Sequence, residues 1–108
     1  MSLRAIADQF ALRIVGGKYQ EAYEMLSKAA KEEWSPASLK DEFEGMYDNI
    51  ELAEPTVVTE WNDISGTHDL ENGTMLYVPI ESNDPWSEAI TVIIDGTNEI
   101  IGVEFGRP

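Results

Sequence analysis

EAITVIIDGTNEIIGVEF, residues 88–105, carries the clearest structural signal in the chain. Two runs rich in β-branched and aromatic residues flank the turn-forming segment Asp95-Gly96-Thr97-Asn98. Apolar residues recur at every second position within each run, which is the period of a strand with one buried face. A connection this short joins antiparallel neighbours, so the stretch predicts a β-hairpin.

Two further strands are predicted before this hairpin, over residues 56–61 and 74–80, after Pro55 ends the helical part of the chain. Residues 68–70 either add to an edge strand or extend a long hairpin. The sequence therefore predicts four antiparallel strands. Turn-forming residues separate them, namely Asn62-Asp63 with Ser65-Gly66, then Asn72-Gly73, and then Asn83-Asp84-Pro85.

The alternation of residues assigns the two faces of this sheet. The sheet face opposite the helices is the outer face, and it is too apolar for contact with water alone. It carries Met75, Tyr77, Thr91, Ile93 and Ile100. We therefore expect a homodimer with Met75, Tyr77 and Ile93 at its interface. The face toward the helices is predicted to carry Leu76, Val78, Ile80, Ile90, Val92, Ile94, Ile101, Val103 and Phe105.

Three amphipathic helices are predicted before the sheet. Residues 3–15 and 19–30 place apolar side chains at steps of three and four, and Gly16-Gly17 ends the first helix. Ser35-Pro36 starts the third, because serine caps free amides and proline at the first helical position has none. Its apolar stripe reaches Ile50. The expected fold is α+β, with three N-terminal helices packed on a curved four-stranded antiparallel sheet, as a single domain over residues 1–108.

Composition narrows the classes of partner. Among 108 residues, 21 acidic and seven basic side chains give a formal net charge of -14, which repels phosphate backbones and anionic membranes. The chain has no cysteine, so disulfides and thiolate sites are excluded. No apolar run reaches the roughly 20 residues that span a bilayer. A cytoplasmic location is the default expectation, and the alternative of an exported protein with a trimmed leader stays open.

The junction of the first two helices adds a family resemblance. Residues 17–27, GKYQEAYEMLS, resemble the glycine, aromatic, alanine and leucine-serine pattern found where these helices meet in small NTF2-like domains. The closing hairpin is similar to the final strand pair of such domains, which have the cystatin-like α+β fold. The resemblance implies a small NTF2-like member of unassigned function. The superfamily contains isomerases, dehydratases, cyclases, ligand-binding modules and protein-binding adaptors.

In the fold that the resemblance implies, the helices and the concave sheet enclose a cone that can hold a small apolar or aromatic ligand. Tyr47, Trp61, His68 and Trp86 are the candidate ligand-binding residues. The alternative is that the aromatic rings fill the core and leave no cavity. With one histidine and no cysteine, the chain offers no set of zinc ligands, and neither a metal nor a cofactor is predicted.

Three functions are weighed from these observations. The leading prediction is a non-catalytic, homodimeric NTF2-like domain that binds a small apolar ligand or a protein. The first alternative is a proton-transfer enzyme of the isomerase or dehydratase type, with a pocket carboxylate or His68 acting beside Tyr47. The second is an acidic interaction or inhibitor protein whose helical acids bind a basic partner. These acids are Glu32, Glu33, Asp41, Glu42 and Glu44.

Overall fold

A computed structural model describes residues 2–47, 50–58, 67–83 and 88–106, except the side chains of Thr67, His68 and Leu70. Helices come first and strands follow, as the α+β prediction required. The helices are α1 (Leu3–Val15), α2 (Tyr19–Glu24), α3 (Lys28–Glu33), α4 (Pro36–Glu44) and α5 (Ile50–Ala53), and the strands are β1 (Thr56–Val57), β2 (Thr67–Leu70), β3 (Gly73–Glu81), β4 (Glu88–Ile94) and β5 (Ile100–Phe105).

The predicted second helix is wrong in its extent, because the chain divides it into α2 and α3. Leu26 forms a parallel bridge with Ile100, and the Ser27 amide donates to the Ile100 carbonyl at 2.8 Å. The Ser27 hydroxyl then caps α3 by accepting from the Ala30 amide at 3.2 Å. A bond to a strand distant in sequence therefore interrupts a helical apolar pattern.

The start of the third predicted helix is confirmed, and its end is not. Ser35 caps α4 through a reciprocal pair of bonds with Ser38, and Pro36 occupies the first turn. The helix ends at Glu44, while Ile50 belongs to the separate helix α5. The apolar stripe continues across two elements, so periodicity alone overestimates the length of one helix.

The sheet is antiparallel, with the order β1-β3-β4-β5 and with β2 also paired to β3. β1 pairs with the end of β3 and β2 with its beginning, so the residues around His68 do form an edge strand. The closing hairpin of β4 and β5 is confirmed. Among the described residues, β5 forms the edge of the sheet opposite β1 and β2.

A β-bulge corrects one assignment of faces. The register between β4 and β5 shifts so that Ile93 pairs with Gly102 while Ile94 pairs with Ile100. Ile100 is consequently fully buried, whereas Ile101, predicted to face the helices, is half-buried. Thr91 also departs from expectation, since this residue of the outer face is only 1% exposed.

The core lies between the helices and the sheet and forms one cluster. The predicted inward residues of β3 and β4 are all buried there, together with Val103 of β5. No helix among the described residues has the length and apolarity to cross a membrane. The largest fully buried side chains include Phe10, Phe43, Ile14, Leu39, Ile80, Ile90, Ile94 and Ile100.

Candidate functional site

Of the four predicted ligand-binding residues, Tyr47 alone has its side chain within the described part of the structure. Tyr47 is a core residue, 6% exposed, whose ring packs edge-to-face on Phe43 at a centroid distance of 5.8 Å. The backbone of His68 pairs with Met75 in the β2–β3 ladder, and its side chain is outside the description. Trp61 and Trp86 also lie outside the described residues, so their ligand-binding role stays a prediction.

Large apolar side chains occupy the space between helices and sheet. Phe10 and Leu39 from the helical side and Val78 and Val92 from the sheet are fully buried. Packing of this kind excludes water and leaves little room for a guest molecule. The described part of the interface therefore agrees with a filled cone rather than an open one.

A surface groove lies where the junction of α3 and α4 meets strand β5, and we call it the edge groove. Its volume of about 490 Å³ falls in the range of ligand sites. Apolar and acidic side chains share its lining. The lining residues are Glu33, Trp34, Ser38, Glu42, Ile93, Gly102, Val103 and Glu104.

The helical wall of the edge groove is fixed by caps on two helices. Trp34 follows α3 in an extended conformation, and its amide donates to the Ala30 carbonyl at 3.0 Å. Its ring packs edge-to-face on Phe105 with centroids 5.6 Å apart. The capping box of Ser35 and Ser38 then holds the start of α4. Trp34 is thus held by a backbone hydrogen bond and by the packing of its ring.

The sheet wall of the edge groove depends on a glycine. Gly102 lies opposite Ile93 in the β4–β5 ladder. A Cβ atom at this position would come within 3.1 Å of the Ile93 Cδ1 atom, which is closer than ordinary side-chain packing. Glycine therefore keeps this wall shallow and gives access to the backbone of β5.

The backbone of β5 presents unpaired groups along this groove. The Gly106 amide donates to the Ala89 carbonyl at 3.0 Å, which makes these two residues a hydrogen-bonded pair. Because such pairs alternate in an antiparallel ladder, Glu104 and Gly102 also bond to β4, whereas Val103 and Phe105 direct their amides and carbonyls away from it. Within the described residues, these outward groups have no backbone partner.

The edge groove is electrostatically negative. Glu33, Glu42 and Glu104 are exposed carboxylates, and its described lining includes no basic residue. Lys31, on neighbouring α3, is engaged elsewhere, since its Nζ atom lies 3.7 Å from Glu24 Oε2 and 5.7 Å from the centre of the Tyr23 ring. A cation entering the groove would therefore meet uncompensated negative charge.

Shifted pKa values among the described residues occur outside the groove. Burial, together with the charge of Glu44 and a hydrogen bond to it at 3.2 Å, raises the pKa of Tyr19 to about 12. Hydrogen bonds from the Thr97 hydroxyl and the Glu99 amide lower the pKa of Asp95. Burial at the contact between α2 and α4 is the largest cause of the Tyr19 shift, and hydrogen bonds within a turn are the cause of the Asp95 shift. Within the described chain, no group of three histidine or carboxylate side chains forms a metal site.

Sequence reasoning found part of the edge groove. It singled out Glu33 and Glu42 as helical acids, but it did not connect them with Glu104. It also missed Trp34, whose position directly before the Ser35-Pro36 helix start was the available signal. These residues lie together only because α3 packs beside β5, and no local sequence pattern specifies that packing.

The outer face of the sheet is a second candidate surface. Met75 lies directly opposite Ile93, and Tyr77 lies opposite Thr91 in the same ladder. Met75, Tyr77 and Ile93 are each half-buried within the chain. The three residues predicted at the dimer interface therefore share one face of adjacent strands, as their alternation predicted.

The chain matches a known family over most of its length. Residues 3–77 match the family described as the NTF2-like N-terminal transpeptidase domain. The match begins in α1 and ends within β3, so it covers more than half of the chain. Neither a curated protein nor a solved structure matches. Together with the order of its helices and strands, this match shows that the chain belongs to the family of NTF2-like N-terminal transpeptidase domains.

Proposed function

We propose that this chain is a non-catalytic NTF2-like domain that docks a partner protein in the edge groove. The observation that carries the proposal is the groove itself, in which a fixed tryptophan, an uncovered strand edge and three carboxylates lie together. Aromatic anchors beside unpaired backbone groups are the features that proteins use to bind protein segments.

The close packing of the described core supports a protein partner over a small apolar ligand. A ligand of drug size needs an enclosed space of about 300 Å³ or more. Phe10, Leu39 and Phe43 are fully buried in the helix–sheet interface, and Tyr47 packs on Phe43. In the described chain, burial beside Glu44 raises the pKa of Tyr19 and hydrogen bonds within a turn lower that of Asp95, and these causes within the fold support a non-catalytic role.

A photo-crosslinking experiment tests the docking proposal. Glu42, which lines the groove, is replaced by benzoylphenylalanine, and Glu21, an exposed glutamate of α2, is replaced in the same way as a matched control. In native host cells, we expect the probe at position 42 to capture a defined protein that the control probe does not. Equal capture by both probes, or capture by neither, would refute docking in the edge groove.

We also propose that two copies associate through the outer face. Met75, Tyr77 and Ile93 form a continuous apolar strip there, and burying such a strip between two chains removes it from water. Ile93 also lines the edge groove, so the two proposed surfaces meet at this residue.

The Tyr77→Glu variant tests this association, because it adds a charge to the strip. We expect the parent to sediment as a dimer and the variant as a monomer. Leu52→Glu is the matched control, since Leu52 is 72% exposed on α5 and lies off the sheet. Thermal unfolding establishes that both variants fold. A folded Tyr77→Glu protein that sediments like the parent would contradict the dimer.

A further inference from the structure

We infer that the edge groove receives an extended basic segment, which adds as a strand to the open edge of β5 and places lysine or arginine side chains beside Glu33, Glu42 and Glu104. The inference rests on the proposed docking function and specifies the chemistry of the partner. It makes the edge groove a β-augmentation site for cationic peptides.

The hydrogen-bond pattern of β5 selects an extended partner. Val103 and Phe105 direct both backbone groups toward the open side, and a strand placed there satisfies them in one register. The Ile100 carbonyl is already occupied by the Ser27 amide, so the free edge starts after Ile100. At about 3.3 Å per residue, the edge from Ile101 to Phe105 accommodates about five residues of an added strand.

Charge complementarity selects a basic partner. The carboxylates flank the edge on two sides, with Glu33 and Glu42 on the helical wall and Glu104 on the strand itself. Trp34 supplies an aromatic surface along which the apolar stem of lysine or arginine can pack. An acidic segment would be repelled both by these three groups and by the net charge of -14.

The apolar residues that line the groove favour an added strand in which apolar and basic residues alternate. Ile93 and Gly102 form a shallow apolar surface beside Glu104. Successive residues of an extended segment point to opposite sides, so one set of side chains can face the helical wall while the other contacts this surface. A sequence that alternates lysine with valine therefore provides the simplest probe.

The first test uses the acetylated and amidated heptapeptide KVKVKVK with the full chain, and follows binding by the anisotropy of a label on the peptide. Two derivatives are methylated on the backbone nitrogens of either all lysines or all valines. In a strand, these two sets of amides point in opposite directions. We expect one derivative to lose binding and the other to retain it. Equal binding by both derivatives, or no binding of the parent peptide below about 1 mM, would overturn strand addition.

The second test changes the charge of the groove. We expect the double variant Glu33→Gln/Glu42→Gln, which changes the helical wall that the lysines face, to bind the peptide about four- to twenty-five-fold more weakly, since each exposed carboxylate contributes about two- to fivefold. The matched control Glu21→Gln/Glu71→Gln removes the same charge at exposed positions outside the groove and should bind like the parent. An equal loss in both double variants would refute recognition by the groove carboxylates.

The outcomes also separate this inference from the function on which it rests. Capture of a partner by the probe at Glu42, without any effect of backbone methylation on peptide binding, would refute strand addition and leave docking intact. Failure of that probe to capture a partner would refute the docking function itself.

Discussion

At the scale of single residues, the Thr91 hydroxyl is the clearest local anomaly. Thr91 is 1% exposed, and within the described residues its Oγ1 atom has no hydrogen-bond partner. Burial of an unsatisfied hydroxyl costs about 1–3 kcal/mol. We therefore expect Thr91→Val, which keeps the β-branched shape, to raise the free energy of unfolding by about 1 kcal/mol. The control Thr56→Val changes an exposed residue of β1 and should alter the free energy of unfolding little. A destabilised Thr91→Val protein in denaturant titration would contradict this account.

Tyr19 allows a prediction at alkaline pH. Its pKa rises from 10.0 to about 12 in the folded chain, so folding favours the protonated phenol. That contribution is complete below pH 10, decreases as the pH rises from 10 toward 12, and is absent from Tyr19→Phe. We expect the difference in melting temperature between parent and variant to change across this window. A constant difference would exclude a raised pKa for Tyr19. Phenolate absorbance provides an independent measurement of that pKa.

At the scale of elements, local patterns predicted what local forces determine. The β4–β5 hairpin follows from its turn residues and alternation, and the start of α4 follows from Ser35-Pro36. The bulge did not follow, because Ile100 and Ile101 are both apolar and either can face the core. The break between α2 and α3 depends on the Ser27–Ile100 bond, which no local pattern reveals.

The candidate site could be predicted only in fragments for the same reason. Glu33 and Glu42 were recognisable as acids on helices, but their distance from Glu104 depends on how α3 and α4 pack beside β5. Tyr47 was recognisable as an aromatic residue facing inward, yet its packing on Phe43 is a property of the assembled core. Sequence periodicity assigns faces, whereas it does not assign neighbours from distant elements.

The turn between β4 and β5 provides a test at acidic pH. The Asp95 carboxylate accepts bonds from Thr97 and Glu99, which lower its pKa below the ordinary value of 3.8. A lowered pKa contributes stability above 3.8, and this contribution decreases as the pH falls through the folded value. Asp95→Ala should therefore melt below the parent at neutral pH, and the gap should narrow below pH 3.8. A gap that stays constant down to pH 2 would contradict this role.

At the scale of the whole molecule, the net charge of -14 distinguishes the two proposed surfaces. Two identical acidic chains repel each other, so added salt should strengthen the association through the outer face. A basic segment is attracted to the edge groove, so the same salt should weaken its binding. We expect sedimentation and peptide anisotropy to respond in opposite directions between about 50 and 500 mM salt, where the screening length shortens from above 10 Å toward 3 Å. Parallel responses would mean that at least one surface is wrongly assigned.

The bridge from Leu26 and Ser27 to Ile100 has a consequence for how the chain is made. Leu26 and Ser27 complete their bonding only when Ile100, which lies much later in the chain, is available. During synthesis, the helices and first strands therefore leave the ribosome before the strand that fixes the break between α2 and α3. Such long-range contacts slow folding, and the apolar surface that β5 covers stays exposed until β5 has been synthesised.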